Sequence, residues 1–337
     1  MDSSREDLSP MESGEPVVIS AVLLLWPYSL SVLFLSFAIV DVFFLQSVVK
    51  SHLPQDFSSL FLLIYILDLP HIVAGFPGLV DAEYIAVYGR KISLGIPLVV
   101  CLTLAIAVAN PLIIMALYAI LTMNHVIAQQ VGIAGMFLQK RGKAFFVWKW
   151  LPIVCSALIY LVVFTTMKFW TVEDITRIVF PCAWAIYLTV TWILLRQAVS
   201  AIGRMHVLSL SATLLLSSIL VSYSAFVTFM LLLLVHNIVA YIYYIAHDSS
   251  RSTLQVKNVF YRLLRPLGLP VYVILPVFSL SVTWLVYFLI HVSPPSVIMG
   301  NLLYGLFASL PFIHYYTEHF IWRAGSPHRR EIKVRAS

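Results

Sequence analysis

Charged residues are scarce in this chain, and their scarcity excludes an ordinary soluble protein. They make up 11% of the 337 residues, whereas a soluble domain carries about a quarter. Hydrophobic residues make up 61%, and the mean hydropathy is +0.94. The net charge of +6 does not indicate nucleic-acid binding here, because Lys and Arg collect in the cytoplasmic loops of membrane proteins. We predict an integral membrane protein with no nucleic-acid partner.

Cysteine and the common catalytic motifs are also rare or missing. The three cysteines, Cys101, Cys155 and Cys182, each lie alone in an apolar segment, which predicts buried small hydrophobic side chains rather than a thiolate metal site. The sequence contains no H-E-x-x-H, G-x-S-x-G, P-loop or G-x-G-x-x-G motif, and no paired H-x-x-H-H boxes. These absences count against a metalloprotease, a serine hydrolase, a nucleotide-binding protein and a fatty-acid desaturase.

Long apolar runs fill almost the whole chain. A membrane-spanning helix needs roughly 20 apolar residues, and this rule predicts an all-α, polytopic transmembrane helical bundle. We expect a polar tail at 1–16, one transmembrane domain at 17–323 and a basic tail at 324–337. The predicted spans are 21–45, 57–80, 92–109, 111–138, 147–170, 176–202, 207–222, 223–247, 270–292 and 296–322.

Two of the apolar runs are too long for one span each. The first divides at Asn110-Pro111, because proline disfavours a helical conformation at the preceding residue. The second, 207–247, is divided near Ser222 on a weaker signal. About ten spans are therefore expected, with nine as the alternative.

The distribution of basic residues predicts the orientation. If both termini are cytoplasmic, 18 of the 21 Lys and Arg residues lie in inside segments, and the exceptions are Lys50, Lys168 and Arg177. Such an excess on one side favours this orientation. The N-terminal tail is acidic and lacks the basic start of a secretory signal, so we expect a retained first span. We expect a bacterial inner-membrane protein.

Four histidines lie deep inside predicted spans: His71, His125, His236 and His314. Their spans are the second, fourth, eighth and tenth, which all run from outside to inside. Each histidine lies 9 to 13 residues before the predicted cytoplasmic end of its span. At about 1.5 Å per residue, the four fall into one layer of the membrane. Because ionisable residues at such depth are costly and usually functional, this layer is the candidate site.

Three further polar residues accompany the four histidines. Asp68 precedes His71 by three residues, Gln129 follows His125 by four, and Glu318 follows His314 by four. Residues three or four apart share a helix face. Carboxylates and amides commonly orient metal-bound histidines. We predict Glu318 as a further ligand or proton carrier, and Asp68 and Gln129 as supporting residues.

The other histidines are expected outside this site. His247 and His319 lie near the predicted cytoplasmic interface, and His247 is too far along its helix from His236 to bind the same ion. The rest fall in loops or at span ends, where we expect solvated or interfacial side chains; they are His52, His206, His291 and His328.

The constellation is typical of a metal site with His71, His125, His236 and His314 as ligands. Neutral imidazole suits iron, zinc, copper and nickel. Iron is the first choice and zinc the second, because the thiolates of structural zinc sites are missing. Simpler interpretations stay open: an Asp68–His71 pair that stabilises a helix kinked at Pro70, or histidines that join helices through hydrogen bonds.

The arrangement of single histidines on separate helices, with His71 directly after Pro70, resembles the Brp/Blh-type bacterial β-carotene dioxygenases. In that family a helical membrane bundle holds iron through four histidines and cleaves a carotenoid. The chain also resembles uncharacterised bacterial polytopic proteins with the patterns D-x-P-H, H-N-x-x-x-aromatic and H-Y-x-x-[DE]-x-x-I-W-R. These patterns fit Asp68 to His71, His236-Asn237 and His314 to Arg323.

Together, the residues and the resemblance predict a membrane metalloenzyme. We expect an oxidoreductase of the oxygenase class that acts on a lipophilic molecule or lipid with O2, which partitions into the bilayer. The alternative is a transporter that uses the same residues as a proton or metal-ion relay, although no internal repeat of the kind common in transporters is seen. A third interpretation is a structural membrane protein.

Overall fold

Helices make up nearly all of the structure, a computed structural model that describes residues 17–53, 57–165, 171–253, 258–292, 297–323, 326–330 and 332–335. In chain order they are α1 (Leu30–Phe43), α2 (Val48–His52), α3 (Phe57–Ala74), α4 (Ala82–Ala109), α5 (Pro111–Ala134), α6 (Lys143–Thr165), α7 (Val172–Asp174), α8 (Phe180–Gln197), α9 (Ala201–Tyr223), α10 (Ala225–Thr253), α11 (Val259–Leu264), α12 (Val271–Val292), α13 (Val297–Ile321) and α14 (Pro327–Arg330). A π-helical turn, Ile175–Val179, joins α7 to α8. The predicted all-α fold is confirmed.

Eight stretches are long and apolar enough to cross a membrane, counted over the described residues. They are Trp26–Phe43, Ala82–Ala109, Pro111–Phe137, Lys143–Val162, Val172–Gln197, Ala201–Tyr223, Ala225–Ser249 and Val271–Leu289. Two further helices of the bundle, α3 and α13, are interrupted by polar residues or described only in part. The protein is therefore an integral membrane protein of the polytopic helical type.

The two predicted interruptions of long apolar runs occur where helices end. Asn110 is extended and its side chain accepts a hydrogen bond from the backbone N–H of Leu112 at 3.0 Å, so it caps α5 while Pro111 takes the first helical position. Asparagine and proline favour these positions. Ser224, also extended, separates α9 from α10. The division of 207–247 gives ten helices of 14 residues or more among the described residues.

Several predicted boundaries were wrong. The helix α4 begins at Ala82, ten residues before the predicted span, because Asp81 caps it and accepts a hydrogen bond from Glu83 N at 3.0 Å. The first predicted span, 21–45, begins instead with turns and a short 3-10 helix, Trp26–Ser29, and helix α1 starts only at Leu30. A cap or turn determines where these helices start, and hydropathy does not record it.

The two chain ends meet in a short parallel sheet. Strand β1 (Val17–Ser20) pairs with β2 (Ile332–Arg335), with Val17 opposite Ile332. Helix α1, the first long helix, therefore begins at the same end of the bundle at which α13, the last long helix, ends. We call this end of the bundle the strand end. This placement agrees with two termini on one side of the membrane and an even number of crossings.

Helix α10 is the centre of the bundle. Two thirds of its apolar window, 67%, is buried, against 11% for α4. It packs against α3, α5, α9 and α12, and α13 packs against α3, α4 and α5. The four helices that carry the candidate histidines, α3, α5, α10 and α13, thus form one connected group.

The cysteines do not all lie where we predicted them. Cys101 and Cys182 are exposed on the outside of the bundle, and Cys155 is half-buried. The prediction of buried side chains was wrong for Cys101 and Cys182, because these positions face outward from helices that are apolar all round. Cys155 packs partly against the buried residues Ile159 and Phe180. The three thiols are free.

Candidate metal centre

Four imidazole rings meet between helices α3, α5, α10 and α13. The ring of His71 lies 4.7 Å from that of His236 and 4.9 Å from that of His314, centroid to centroid. The ring of His125 lies 4.9 Å from that of His236 and 5.3 Å from that of His314. All four neighbouring pairs are close to perpendicular, between 75° and 90°. We call this closed ring the four-histidine cluster.

Three nitrogen atoms of the cluster, one each from His71, His125 and His314, lie within 4.8 Å of one another and form a group that could hold a metal ion. The Nε2 atoms of His71 and His236 are 3.1 Å apart. Two imidazole nitrogens that each bind one ion at about 2.0–2.1 Å lie about 3 Å apart when their bonds are near perpendicular. The distance therefore suits two adjacent ligands.

Three nitrogen atoms of the cluster are buried without a hydrogen-bond partner among the described residues. They are Nε2 of His125, Nδ1 of His236 and Nε2 of His314. Buried polar atoms are nearly always paired, and leaving one unpaired costs about 1–3 kcal/mol. Two of them, Nε2 of His125 and Nε2 of His314, lie 3.3 and 3.9 Å from Oε2 of Glu318. The third, Nδ1 of His236, belongs to a ring whose Nε2 faces His71.

Asp68 holds His71 from behind. Nδ1 of His71 lies 2.7 Å from the backbone carbonyl oxygen of Asp68 and 3.1 Å from its Oδ1. Both neighbours are acceptors, so Nδ1 carries the proton and Nε2 presents its lone pair to the cluster. The hydroxyl of Tyr118 donates to Oδ2 of Asp68 at 2.9 Å, and that of Tyr315 at 3.4 Å. Asp68 and the tyrosines thus fix both the tautomer and the direction of the ring.

Glu318 lies on the opposite side of the cluster. Its Oε2 is 3.3 Å from Nε2 of His125 and 3.9 Å from Nε2 of His314. Its Oε1 accepts hydrogen bonds from the hydroxyl of Tyr244 and, at 3.1 Å, from Nε1 of Trp322. One oxygen is therefore held by donors while the other faces two of the histidines.

Gln129 contacts Glu318 rather than a histidine. Its Nε2 donates to Oε2 of Glu318 at 3.4 Å, so the amide helps to place the carboxylate. His125 is oriented instead by Tyr315, whose ring stacks on it at 4.6 Å and whose hydroxyl is 2.6 Å from Oγ1 of Thr122. Tyr315 was not among the predicted site residues, although it directly follows His314.

Local breaks in the helices allow the histidines to approach. Pro70, inside α3, cannot donate a backbone hydrogen bond, and the nearby carbonyl of Leu67 accepts one from Nδ2 of Asn237 at 3.2 Å. This contact ties α3 to α10 beside His236. The residue after His236 is thus a positioning residue, which explains why histidine and asparagine occur together in this segment.

Gly75 provides the space in which His314 lies. A Cβ atom at this position would be 3.1 Å from Nδ1 of His314 and 3.3 Å from the hydroxyl of Tyr244. Such distances are shorter than ordinary contacts. The turn after α3 therefore needs glycine for the fourth imidazole to enter the cluster.

A second group of buried polar side chains lies at the strand end of the bundle. We call this group the Asp248 cluster, and it consists of Tyr84, His247, Asp248, Tyr261 and His328. Nδ1 of His247 is 2.7 Å from Oδ1 of Asp248, and its Nε2 is 2.6 Å from the hydroxyl of Tyr84. The hydroxyl of Tyr261 donates to Oδ2 of Asp248. Burial and the adjacent carboxylate raise the pKa of Tyr261, so it stays a neutral donor.

The expectation that the remaining histidines are solvated or interfacial was wrong for two of them. His328 is buried and stacks on Tyr84 with ring centroids 3.3 Å apart. His206 is buried, with Nε2 3.0 Å from the carbonyl oxygen of Ala21. His206 is covered by the N-terminal segment at Ala21, whereas His328 is itself part of the C-terminal segment, which packs against the bundle.

His52 and His319 are exposed as expected. The side chain of His291 lies outside the described residues. His247 is buried within the Asp248 cluster and lies outside the four-histidine cluster, as predicted.

Comparison with known proteins adds no relative. The chain matches no protein-family model, no curated protein and no solved structure. The resemblance to the β-carotene dioxygenases therefore stays a prediction that rests on the sequence motifs.

Proposed function

We propose that this protein is an integral membrane metalloenzyme whose metal ion is bound by His71, His125, His236 and His314. The observation that carries the proposal is the four-histidine cluster, with rings 4.7–5.3 Å apart around a closed circuit and nitrogen atoms of His71, His125 and His314 within 4.8 Å of one another. A single contact such as that between His71 and His236 is enough to join two helices, whereas several imidazoles around one point suit a bound ion.

Iron is the metal we propose, with zinc as the second choice. Four neutral imidazoles and one nearby carboxylate form a nitrogen-rich site without thiolates, and such donor sets suit iron, copper and zinc. Among these, iron and copper also carry out redox chemistry with O2. The carboxylate of Glu318, as a hard oxygen donor, favours iron over copper within that pair.

The surrounding residues have distinct roles in this proposal. Glu318 is a further ligand or a proton carrier, because Oε2 lies 3.3 Å from His125. Asp68 is a positioning residue that makes Nε2 of His71 the ligand atom. Gln129 is a positioning residue that acts through Glu318.

We propose an oxidoreductase, specifically an oxygenase, that acts on a lipophilic substrate. Bound metal would supply the activation of O2, while the chain supplies a water-poor environment. The substrate class is supported by an apolar cavity of about 60 Å³ between α6, α8, α9 and α10. Two residues of α10, Thr228 and Leu232, line this cavity. They precede His236 by about two turns and one turn of the helix, respectively. The bacterial inner membrane remains the proposed location, from the sequence patterns alone.

The experiment uses protein loaded with Fe²⁺ in proteoliposomes made from a bacterial lipid extract, with ascorbate as the reductant. We expect O2 consumption and oxidised lipid products from wild type, both lost in His71→Ala and His314→Ala. His319→Ala is the matched control, because this exposed histidine lies on the same helix as His314. Fe²⁺ flux across the membrane without O2 consumption would favour the transporter instead.

A further inference from the structure

A small cavity lies between the four-histidine cluster and the Asp248 cluster. Its volume is about 20 Å³, which is room for about one water molecule. Its walls include His314 and Glu318 from the centre, and His247, Asp248 and His328 from the Asp248 cluster. The cavity is therefore lined by residues of both the four-histidine cluster and the Asp248 cluster.

The lining of this cavity suits a cation. It contains two carboxylates, Asp248 and Glu318, both more than nine-tenths buried. The described lining residues include imidazole, phenol and indole groups but no lysine or arginine. Carboxylates in a water-poor cavity attract cations strongly, because the surrounding protein screens their charge poorly.

Hydrogen-bond donors in and beside the cavity wall hold each carboxylate in place. Asp248 is backed by Nδ1 of His247 at 2.7 Å and by the hydroxyl of Tyr261. Glu318 is backed by Tyr244 and Trp322. Because a carboxylate oxygen has two lone pairs, each group keeps acceptor capacity for a passing ion.

Two glycines leave the cavity open on the α3 side. Gly75 lies beside the imidazole of His314, and a Cβ atom at Gly78 would be 3.6 Å from Nε2 of His328. A larger side chain at Gly78 would therefore project toward the strand-end part of the cavity. The two residues line opposite parts of the same passage.

The strand-end part of the cavity lies close to water. The exposed Lys91 ammonium lies 5.3 Å from the ring centroid of Phe320, two residues after Glu318. Lysine is retained at the membrane surface, so the surface is near this level of α13. Beyond it, the passage is covered by His328 of the C-terminal segment, which β2 anchors to β1.

We infer that this cavity is the route by which a divalent metal ion passes between the strand-end water and the four-histidine cluster. Asp248 and Glu318 are the successive carboxylate contacts, and His328 covers the outer opening. The inference rests on the proposed metal centre and adds its access path.

The test measures how fast Fe²⁺, added alone and without oxygen, binds to and leaves the purified metal-free protein. The variants are Gly78→Leu, which narrows the passage, and Asp248→Asn, with Asp248→Glu as its conservative rescue. Gly300→Leu is the control, because a Cβ atom there meets nothing within 4 Å. A chelator stops loading at set times, and bound iron is counted.

We expect Gly78→Leu to slow binding and release by the same factor, about tenfold or more, with the dissociation constant unchanged. A barrier on a route changes both rates together and leaves the equilibrium alone, whereas a damaged site changes the equilibrium. We expect Asp248→Asn to slow binding similarly and Asp248→Glu to restore it.

Wild-type rates in both variants would overturn the route. So would a changed dissociation constant without equal slowing of the two rates. If wild-type protein binds no iron at equilibrium, the proposed function itself fails, and that result is distinct from a route that is merely wrong.

Discussion

Nε2 of His71 lies 3.1 Å from Nε2 of His236, although 165 residues separate them in the chain. The first nitrogen presents a lone pair, because Nδ1 of the same ring faces two oxygen acceptors of Asp68. In metal-free protein, His236 can donate a hydrogen to it. In the proposed metal-bound state both nitrogens would present their lone pairs to the same ion, and the proton of His236 would lie on Nδ1.

Replacing any histidine of the cluster by alanine should weaken metal binding. Loss of a residue that only supports a ligand typically weakens metal affinity about 10–100-fold. For His236→Ala, which removes a ligand, we expect a larger rise in the dissociation constant for Fe²⁺ or Zn²⁺. Competition with a chromophoric chelator measures it. His52→Ala is the control, since this side chain is exposed. Equal affinity in the two variants would remove His236 from the ligand set.

Removing the charge of Asp68 should weaken binding less than removing a ligand. Asp68→Asn loses the carboxylate behind His71, and we expect the metal dissociation constant to rise about 10–100-fold. Tyr118→Phe removes only the donor at 2.9 Å from Oδ2, so its effect should be smaller. The same chelator competition gives both values. An Asp68→Asn protein with wild-type affinity would contradict the supporting role.

Adding one methyl group at Gly75 should disturb the cluster. The new Cβ atom in Gly75→Ala would lie 3.1 Å from Nδ1 of His314, so the ring must shift, and we expect lower metal occupancy after loading. The control Gly132→Ala places its Cβ atom in open space inside α5. There we expect unchanged occupancy and a helix stabilised by about 0.5–1 kcal/mol. Thermal unfolding with and without metal compares the two.

Neutralising Glu318 should separate metal binding from turnover. In Glu318→Gln the four histidines remain, so we expect most of the bound iron to be retained. We expect O2 consumption in the proteoliposome assay to fall about tenfold or more, in the range that general acid–base groups contribute. Unchanged O2 consumption would exclude Glu318 from the reaction.

The pairing of β1 with β2 predicts that both termini lie on one side of the membrane. Green fluorescent protein fused to either end should fluoresce in bacterial cells, which requires the cytoplasm. Alkaline phosphatase fused after His52, at the other end of α1, should be active, which requires the periplasm. Activity of phosphatase fused at either terminus would contradict the predicted orientation.

Much of the fold could be predicted from the sequence, because the bilayer permits few structures. Long apolar runs in a bilayer must form helices. The pair Asn110-Pro111 marks a helix start, because asparagine favours the capping position and proline the first helical position. The start of α4 at Ala82 was missed, since the segment before Ile92 contains Arg90 and Lys91 and does not satisfy a hydropathy rule. The β1–β2 pairing joins residues more than 300 positions apart, and no local pattern predicts it.

The sequence also indicated which histidines would share a layer. The direction of each span and its length are enough to place His71, His125, His236 and His314 at similar depth. Depth alone does not say which way a ring faces, so the closed arrangement needed the packing of α10 against α3 and α5. Tyr315 and Tyr244 were missed as partners, because tyrosines near a span end also occur as interfacial anchors.

The Asp248 cluster could not be predicted from the sequence, for a different reason. His328 belongs to a basic tail that hydropathy places in water, yet it is buried against Tyr84 and His247. A signal did exist in His247-Asp248, an imidazole and a carboxylate side by side at the end of a span. Its burial depends on the return of the C-terminal segment, which only the tertiary structure provides.

The central claim is that four imidazoles bind one ion, and X-ray absorption spectroscopy on metal-loaded protein tests it most directly. We predict about one iron per chain and a first shell of roughly four nitrogens at about 2.1 Å, with the outer scattering of imidazole rings. His125→Ala should lower the nitrogen count by one, and His319→Ala should leave it unchanged. Wild-type protein that binds no stoichiometric iron or zinc, or a first shell without imidazole scattering, would contradict the account.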